Sequence, residues 1–190
     1  MKLKILFLFL LFLSLNSFSQ KNVLIIISTN VGAIEVELYT SKAPKTVENF
    51  LKYVSNNLYD NSSFYRVCTA DNEVDSAIKI EVIQGGNVAD DLLFQPIELE
   101  TTKKTGLKHQ NGTISMARSE PNTAQSSFFI CINDQPELDF GGKRNPDGQG
   151  FAAFGKVSKG MKVVLDIQNS ENKNQLISSP IVIKTIKLIK

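Results

Sequence analysis

Apolar residues recur along this chain with two periods, and the switch between them marks its elements. Ile34, Val36 and Leu38 alternate with Glu35 and Glu37, the period of a strand with one buried and one solvated face. Residues 23–28 form a second short β-rich run, joined to 33–38 through Thr29-Asn30-Val31-Gly32, a hairpin pattern. Pro44 suits the first turn of a helix, where its missing N–H costs nothing. Val47, Phe50, Leu51 and Val54 follow at i, i+3, i+4 and i+7, the stripe of a helix lying on an apolar surface. Short runs at 64–68, 79–83, 112–117, 128–131 and 151–157, bounded by Gly, Asn or Pro, read as further strands. A second helix is expected over 159–168, and a last strand over 181–189, interleaved with Lys184 and Lys187. Eight strands and two helices, with no repeat and no linker, predict a mainly β domain. Its expected form is a closed eight-stranded antiparallel barrel capped by two α-helices, since closure removes the edges that short strands would expose.

The first 20 residues break this pattern. Lys2 and Lys4 precede an unbroken apolar run from Ile5 to Leu13, and Ser14-Leu15-Asn16-Ser17-Phe18-Ser19 follows, the layout of a secretory signal peptide. The run is shorter than the roughly 20 apolar residues that a bilayer span needs. Cleavage is expected after Ser19, with the Gln20–Lys21 bond as the other candidate. Residues 1–19 are then a signal peptide and 20–190 one domain, periplasmic or secreted. With no cysteine at the junction to carry a lipid, no stable membrane anchor is expected after cleavage, and a monomer is expected.

Removing Lys2 and Lys4 from the 21 basic residues leaves 19, equal to the 19 acidic ones. Such a balance argues against a nucleic-acid partner, whose affinity comes largely from Lys and Arg against phosphate. One histidine and two cysteines make no structural zinc set. Neither metal nor cofactor is expected.

Four signatures then stand in a fixed order: Phe64-Tyr65-Arg66, Gln84-Gly85-Gly86, Ser115-Met116-Ala117-Arg118 leading into Ser127-Phe128-Phe129-Ile130-Cys131-Ile132, and Phe154-Gly155-Lys156-Val157. Each is weak alone. In register over about 95 residues, the set resembles the cyclophilin-type peptidyl-prolyl cis-trans isomerases, over nearly all of the chain beyond residue 20. The resemblance implies a barrel fold, rotation about X-Pro bonds of unfolded or nascent polypeptides, and a set of site residues. Arg66 matches the catalytic arginine of the family's F-H-R motif, and Gln84 the glutamine that holds the substrate backbone and orients that arginine. Phe129 matches the floor under the proline ring. Phe64, Val82, Ala117, Arg118, Leu138 and Phe151 match substrate-binding positions, Phe151 standing where well-known members have histidine.

The chain also departs from the family pattern. Glu81-Val82 stands where the family has Phe-Met, so a charge replaces an aromatic wall. Glu137 replaces the tryptophan beside Leu138 that contributes to cyclosporin binding. Glu81 and Glu137 favour an alternative reading, a proline-segment binding module or holdase with little turnover. Two loops are lengthened. Asp71-Asn72-Glu73-Val74-Asp75 resembles the start of a calcium loop but lacks its glycine and its bidentate glutamate, and reads as solvated. Residues 141–150 join Leu138 to Phe151 and are expected to form a flexible rim of the cleft. His109, the lone histidine, reads as a loop residue, on which any hydrolase reading would rest entirely. Cys68 and Cys131 each follow a proposed site residue by two positions and so share its face. Buried free thiols are the expectation, with a disulfide as the alternative in an oxidising compartment.

Overall fold

Strand pairing closes on itself in the computed structural model of the chain, which describes residues 21–189. The expected signal peptide at 1–19 lies outside the described residues. The strands are β1 (Val23–Thr29), β2 (Ala33–Leu38), β3 (Ser63–Cys68), β4 (Val82–Gly85), β5 (Thr113–Met116), β6 (Phe128–Cys131), β7 (Ala152–Lys159), β8 (Asn172–Lys173) and β9 (Leu176–Leu188). Their order is β1-β2-β7-β5-β6-β4-β3-β9, with β9 pairing back to β1, every neighbour antiparallel. This is the expected eight-stranded barrel. The two-residue β8 lies outside the closed ring and pairs only with the start of β9.

Among the described residues three α-helices accompany it rather than the two expected: α1 (Pro44–Ser55), α2 (Thr102–Thr105) and α3 (Met161–Gln168). The extra helix, α2, is a single turn and too short to show a period. The Thr101 side chain accepts from Lys104 N at its start, and Gly106 ends it at φ 73°. The fourth strand runs over Val82–Gly85 rather than 79–83, because Lys79 and Ile80 are drawn into contacts with the 70–79 loop instead of a ladder. The last strand begins at Leu176 rather than 181, and its register on β3 jumps between Leu176 and Ile181. Pro180, which lacks an N–H for the ladder, sits in that jump.

The barrel interior is apolar and dense. Phe50 from α1 meets Tyr59, Phe128 and Phe154 at ring-centroid distances of 5.1–5.5 Å, and Phe64 meets Phe128 edge-on at 5.8 Å. Ile27, Ile34, Val36, Ile83, Ile114, Ile130 and Ile183 fill the remainder. Each strand also has an outward face. On β3, β4 and β6 that face carries a second apolar cluster of Cys68, Ile80, Val82, Phe129, Cys131, Leu138 and Phe151.

Candidate active site

One feature of β3 decides what faces the cleft. Phe64 and Arg66 are two residues apart and would share a face in a regular strand. The register on both neighbouring strands shifts between them, with Tyr65 as the extra residue of a bulge. Phe64 therefore turns into the barrel core, fully buried, while Arg66 turns outward. This corrects the expectation that Phe64 binds substrate.

Arg66 lies over a pocket of about 200 Å³ that gathers Val82, Gln84, Ala117, Phe129, Leu138 and Phe151. Residues expected from four separate stretches of sequence are thus brought to one place. Phe128 and Phe129 divide as alternation requires, Phe128 into the core and Phe129 into the outer cluster. The Phe129 ring stands edge-on to Phe151 at 5.3 Å. Arg66 Nη1 donates to Gln84 Oε1 at 2.8 Å, and Gln84 Nε2 donates to the Tyr65 hydroxyl at 2.6 Å, so Gln84 is held at both ends. The two glycines that follow allow close packing there. A Cβ at Gly85 would lie 2.7 Å from the Phe64 ring, and one at Gly86, whose φ is +81°, would lie 2.8 Å from Phe128.

Arg118 stands in the pocket wall, but its guanidinium is turned to the protein. Its side chain is only 1% exposed. It donates to both Asp147 carboxylate oxygens at 2.7 and 2.9 Å and to Gly150 O at 2.6 and 2.8 Å, and it lies 5.2 Å from the Phe151 ring. Its expected contact with substrate is corrected to a clamp on the 141–150 loop, because its donors are spent on that loop. The loop is pinned at a second point, where Arg144 meets Glu73, so the rim is fastened rather than loose. Arg144 and Asn145 line the pocket, as does Ile80. The sequence singled out none of these three, since no local pattern marks them.

Glu81 does not form a wall of this pocket. Val82 faces it, so the preceding side chain points the other way, and the Glu81 carboxylate accepts from Asn133 Nδ2 at 2.8 Å. Glu137 is turned to its own loop, accepting from Lys143 N at 2.8 Å. Glu73, expected to be solvated, is 2% exposed.

His109 is in a loop but buried, at 1% exposure, and stacks against Phe129 with centroids 6.0 Å apart. Its Nδ1 lies 2.8 Å from Asp139 Oδ1 and its Nε2 lies 2.9 Å from Ser115 Oγ. Burial pushes the imidazole below its ordinary pKa against the pull of Asp139. Burial also raises the Asp139 pKa, but hydrogen bonds from the His109 ring and backbone outweigh it, and the carboxyl ends below its usual range. A neutral ring thus donates from Nδ1 to the carboxylate and accepts at Nε2 from Ser115. The trio has the order of a hydrolytic triad, but Ser115 is fully buried under the pocket floor. It braces Phe129 instead of facing solvent.

Cys68 and Cys131 are buried free thiols. Both pair with Val82 from opposite sides, so an entire strand separates them. Two strand spacings of about 4.8 Å exceed the reach of a disulfide. Burial pushes the Cys68 pKa up to about 11 and that of Cys131 higher still, which keeps both protonated and unreactive. A larger groove of about 550 Å³ lies between α1 and residues 93–98. It is lined by none of the motif residues described above.

A family described as cyclophilin type peptidyl-prolyl cis-trans isomerase matches residues 24–188. A peptidyl-prolyl cis-trans isomerase of Acinetobacter baylyi is 38% identical, covering 83% of this chain and 78% of its own. The peptidyl-prolyl cis-trans isomerase cyp18 of Streptomyces antibioticus is 35% identical, covering 86% and 96%. The crystal structure of a cyclophilin type isomerase of Cryptosporidium parvum superposes with a TM-score of 0.73 at 25% identity, over 90% of this chain and 99% of that one. A second structure of that isomerase, in the presence of the dipeptide Ala-Pro, superposes with a TM-score of 0.69 at 25% identity, covering 88% and 99%.

Proposed function

This chain belongs to the cyclophilin-type peptidyl-prolyl cis-trans isomerases and catalyses rotation about X-Pro bonds, and from that premise we propose that it serves exported proteins, using Arg66, Gln84 and Phe129 as its central groups. The proposed substrates are unfolded or newly translocated chains in the periplasm or outside the cell, met by a monomer. The basic and apolar layout of residues 1–19 supports export. The Ala-Pro dipeptide used with the Cryptosporidium isomerase is the class of ligand proposed for the pocket here.

Peptide rotation faces a barrier of about 18–20 kcal/mol. In the twisted amide the prolyl nitrogen loses conjugation and regains a lone pair. A cationic donor that reaches this nitrogen gains strength only as the bond twists, so it lowers the barrier rather than merely binding substrate. A rate gain of about five decades needs roughly 7 kcal/mol of such differential stabilisation. Arg66 is the proposed donor. Gln84 aligns it and anchors the substrate backbone, and Phe129, Leu138, Phe151, Val82 and Ala117 seat the proline ring away from water. This step uses no nucleophile and no acid–base pair.

The observation that carries this reading is the fixed Arg66–Gln84 pair above an apolar floor. The holdase alternative drew on Glu81 and Glu137, whose carboxylates are engaged elsewhere. The test is proline-limited refolding catalysed by wild type and by Arg66→Ala. The expected result is at least a tenfold loss of activity with an unchanged circular dichroism spectrum. Equal catalysis by the two would sink the assignment of Arg66.

A further inference from the structure

We propose that Gln175, at the tip of the β8–β9 hairpin, is a positioning residue for Arg66, and that the pair of half-buried Arg144 and buried Glu73 behind it fastens both lengthened loops to hold it in place. The inference rests on Arg66 acting on substrate. Gln175 Oε1 accepts from Arg66 Nε at 2.9 Å and from Nη2 at 2.6 Å, while Gln84 Oε1 takes Nη1 at 2.8 Å. A guanidinium has five N–H groups in a planar fork. Three are thus fixed within the protein, leaving one on each terminal nitrogen among the described residues. Rotation of the Arg66 side chain would break all three bonds together.

The amide of Gln175 is itself oriented by charge. Its oxygen faces the Arg66 cation, and its Nε2 donates to Glu73 Oε1 at 3.3 Å. A flipped amide would set N–H against N–H on one side and oxygen against carboxylate on the other. Glu73 is buried and accepts from Arg144 Nη2 at 2.5 Å, from Arg144 Nη1 at 2.8 Å and from Ile80 N at 2.8 Å. Arg144 also donates to Ser76 Oγ and Ile78 O, so one side chain of the 141–150 loop ties down the 70–79 loop. Its charge is met by Glu73, which leaves Arg66 as the cation presented to substrate.

The backbone of Gln175 is the second, independent observation. Its φ is +72°, next to Asn174 at +50°. Two-residue turns with both φ values positive favour Asn-Gly, and an unbranched side chain in the second position is uncommon. Here the side chain is what that position supplies. Val67 N donates to Gln175 O at 2.8 Å, and Arg66 pairs with Leu176, so the turn is laid directly beside Arg66.

The test compares wild type, Gln175→Gly, Arg66→Ala and the double variant, all in the full chain. Glycine suits the backbone, so Gln175→Gly should melt at the same temperature or higher. Its kcat on an X-Pro peptide should fall at least fivefold, with KM within twofold of wild type. The Arg66 Nε–Hε group, bonded to Gln175 in wild type, should exchange with water faster in the variant, as read by NMR. The double variant should be no slower than Arg66→Ala alone, as expected when one residue acts through the other. A Gln175→Gly variant at wild-type kcat beside a slow Arg66→Ala would reduce Gln175 to a turn residue and overturn the proposal. If Arg66→Ala is itself as fast as wild type, the reading of Arg66 fails and the positioning role falls with it.

Discussion

Strands β3, β4 and β6 have two faces made of neighbouring residues, and the two are built on different chemistry. Inward, Phe64, Val67, Ile83, Phe128 and Ile130 join a continuous apolar core closed over by α1. Outward, Val82 and Phe129 form a shallow apolar floor beside Arg66 and Gln84, polar groups that are hydrogen-bonded to each other and to their neighbours. The inner face is held by packing, which tolerates little loss of volume. The outer face is held by hydrogen bonds, which set direction as well as distance. On the proposed reading, activity depends on the outer face and the barrel on the inner one.

Adjacent phenylalanines offer the sharpest way to break this contrast. Phe128→Ala should destabilise the fold by about 3–5 kcal/mol, a large share of the 5–15 kcal/mol typical of a domain, read by urea melts. Phe129→Ala should lose less stability because its ring already borders an open pocket. Its main effect should be on catalysis, where about 1.5–3 kcal/mol of lost ring contact corresponds to a roughly ten- to hundredfold fall in kcat/KM. Wild-type activity from an unstable Phe129→Ala would exchange the two faces and overturn the register.

Arg66→Lys separates charge from direction. Lysine keeps the cation but has one nitrogen and no fork, so it cannot serve Gln84, Gln175 and substrate together. About a tenfold fall in kcat is expected, and wild-type kcat in the lysine variant would show that charge alone suffices.

The brace under Phe129 should make stability depend on pH. In the native state His109 titrates below its ordinary value of 6.5, whereas in the unfolded chain it titrates near that value. Between the two, the unfolded chain binds a proton that the native state does not, so stability falls as pH drops below about 6.5. The slope is at most about 1.4 kcal/mol per pH unit for one proton. Asp139, also depressed, adds a loss in the same direction at lower pH, as pH falls through its native value. Urea melts from pH 7.5 to 5.5 measure this, and His109→Gln should flatten the upper part of the profile. A wild-type profile already flat over that range would exclude the neutral, buried imidazole.

The smallest effect is expected at Glu81. Since its carboxylate is bound to Asn133 beside the pocket rather than in it, Glu81→Phe should leave the preference among acidic, apolar and basic X-Pro peptides unchanged at low and high salt. A salt-dependent change in that preference would return Glu81 to the cleft.

Much of this architecture was legible in the chain itself. Alternation marked β2 and divided Phe128 from Phe129, the 3.6-residue period marked α1, and the family resemblance carried by the ordered motifs implied Arg66, Gln84, Val82, Ala117, Leu138 and Phe151, all of which meet at one pocket. The strand and helix signals are local, carried by side-chain spacing, whereas the pocket positions came from the resemblance. Tertiary structure alone decided the rest. Phe64 goes inward because a bulge at Tyr65 shifts the phase of β3, and a bulge depends on which residues the partner strands bring opposite. His109 and Asp139 are 30 residues apart, and Glu73 and Gln175 are 102 apart, each looking solvated or neutral in its own stretch. Buried polar groups take on their roles only when barrel closure sets partners beside them and removes the water that would otherwise satisfy them.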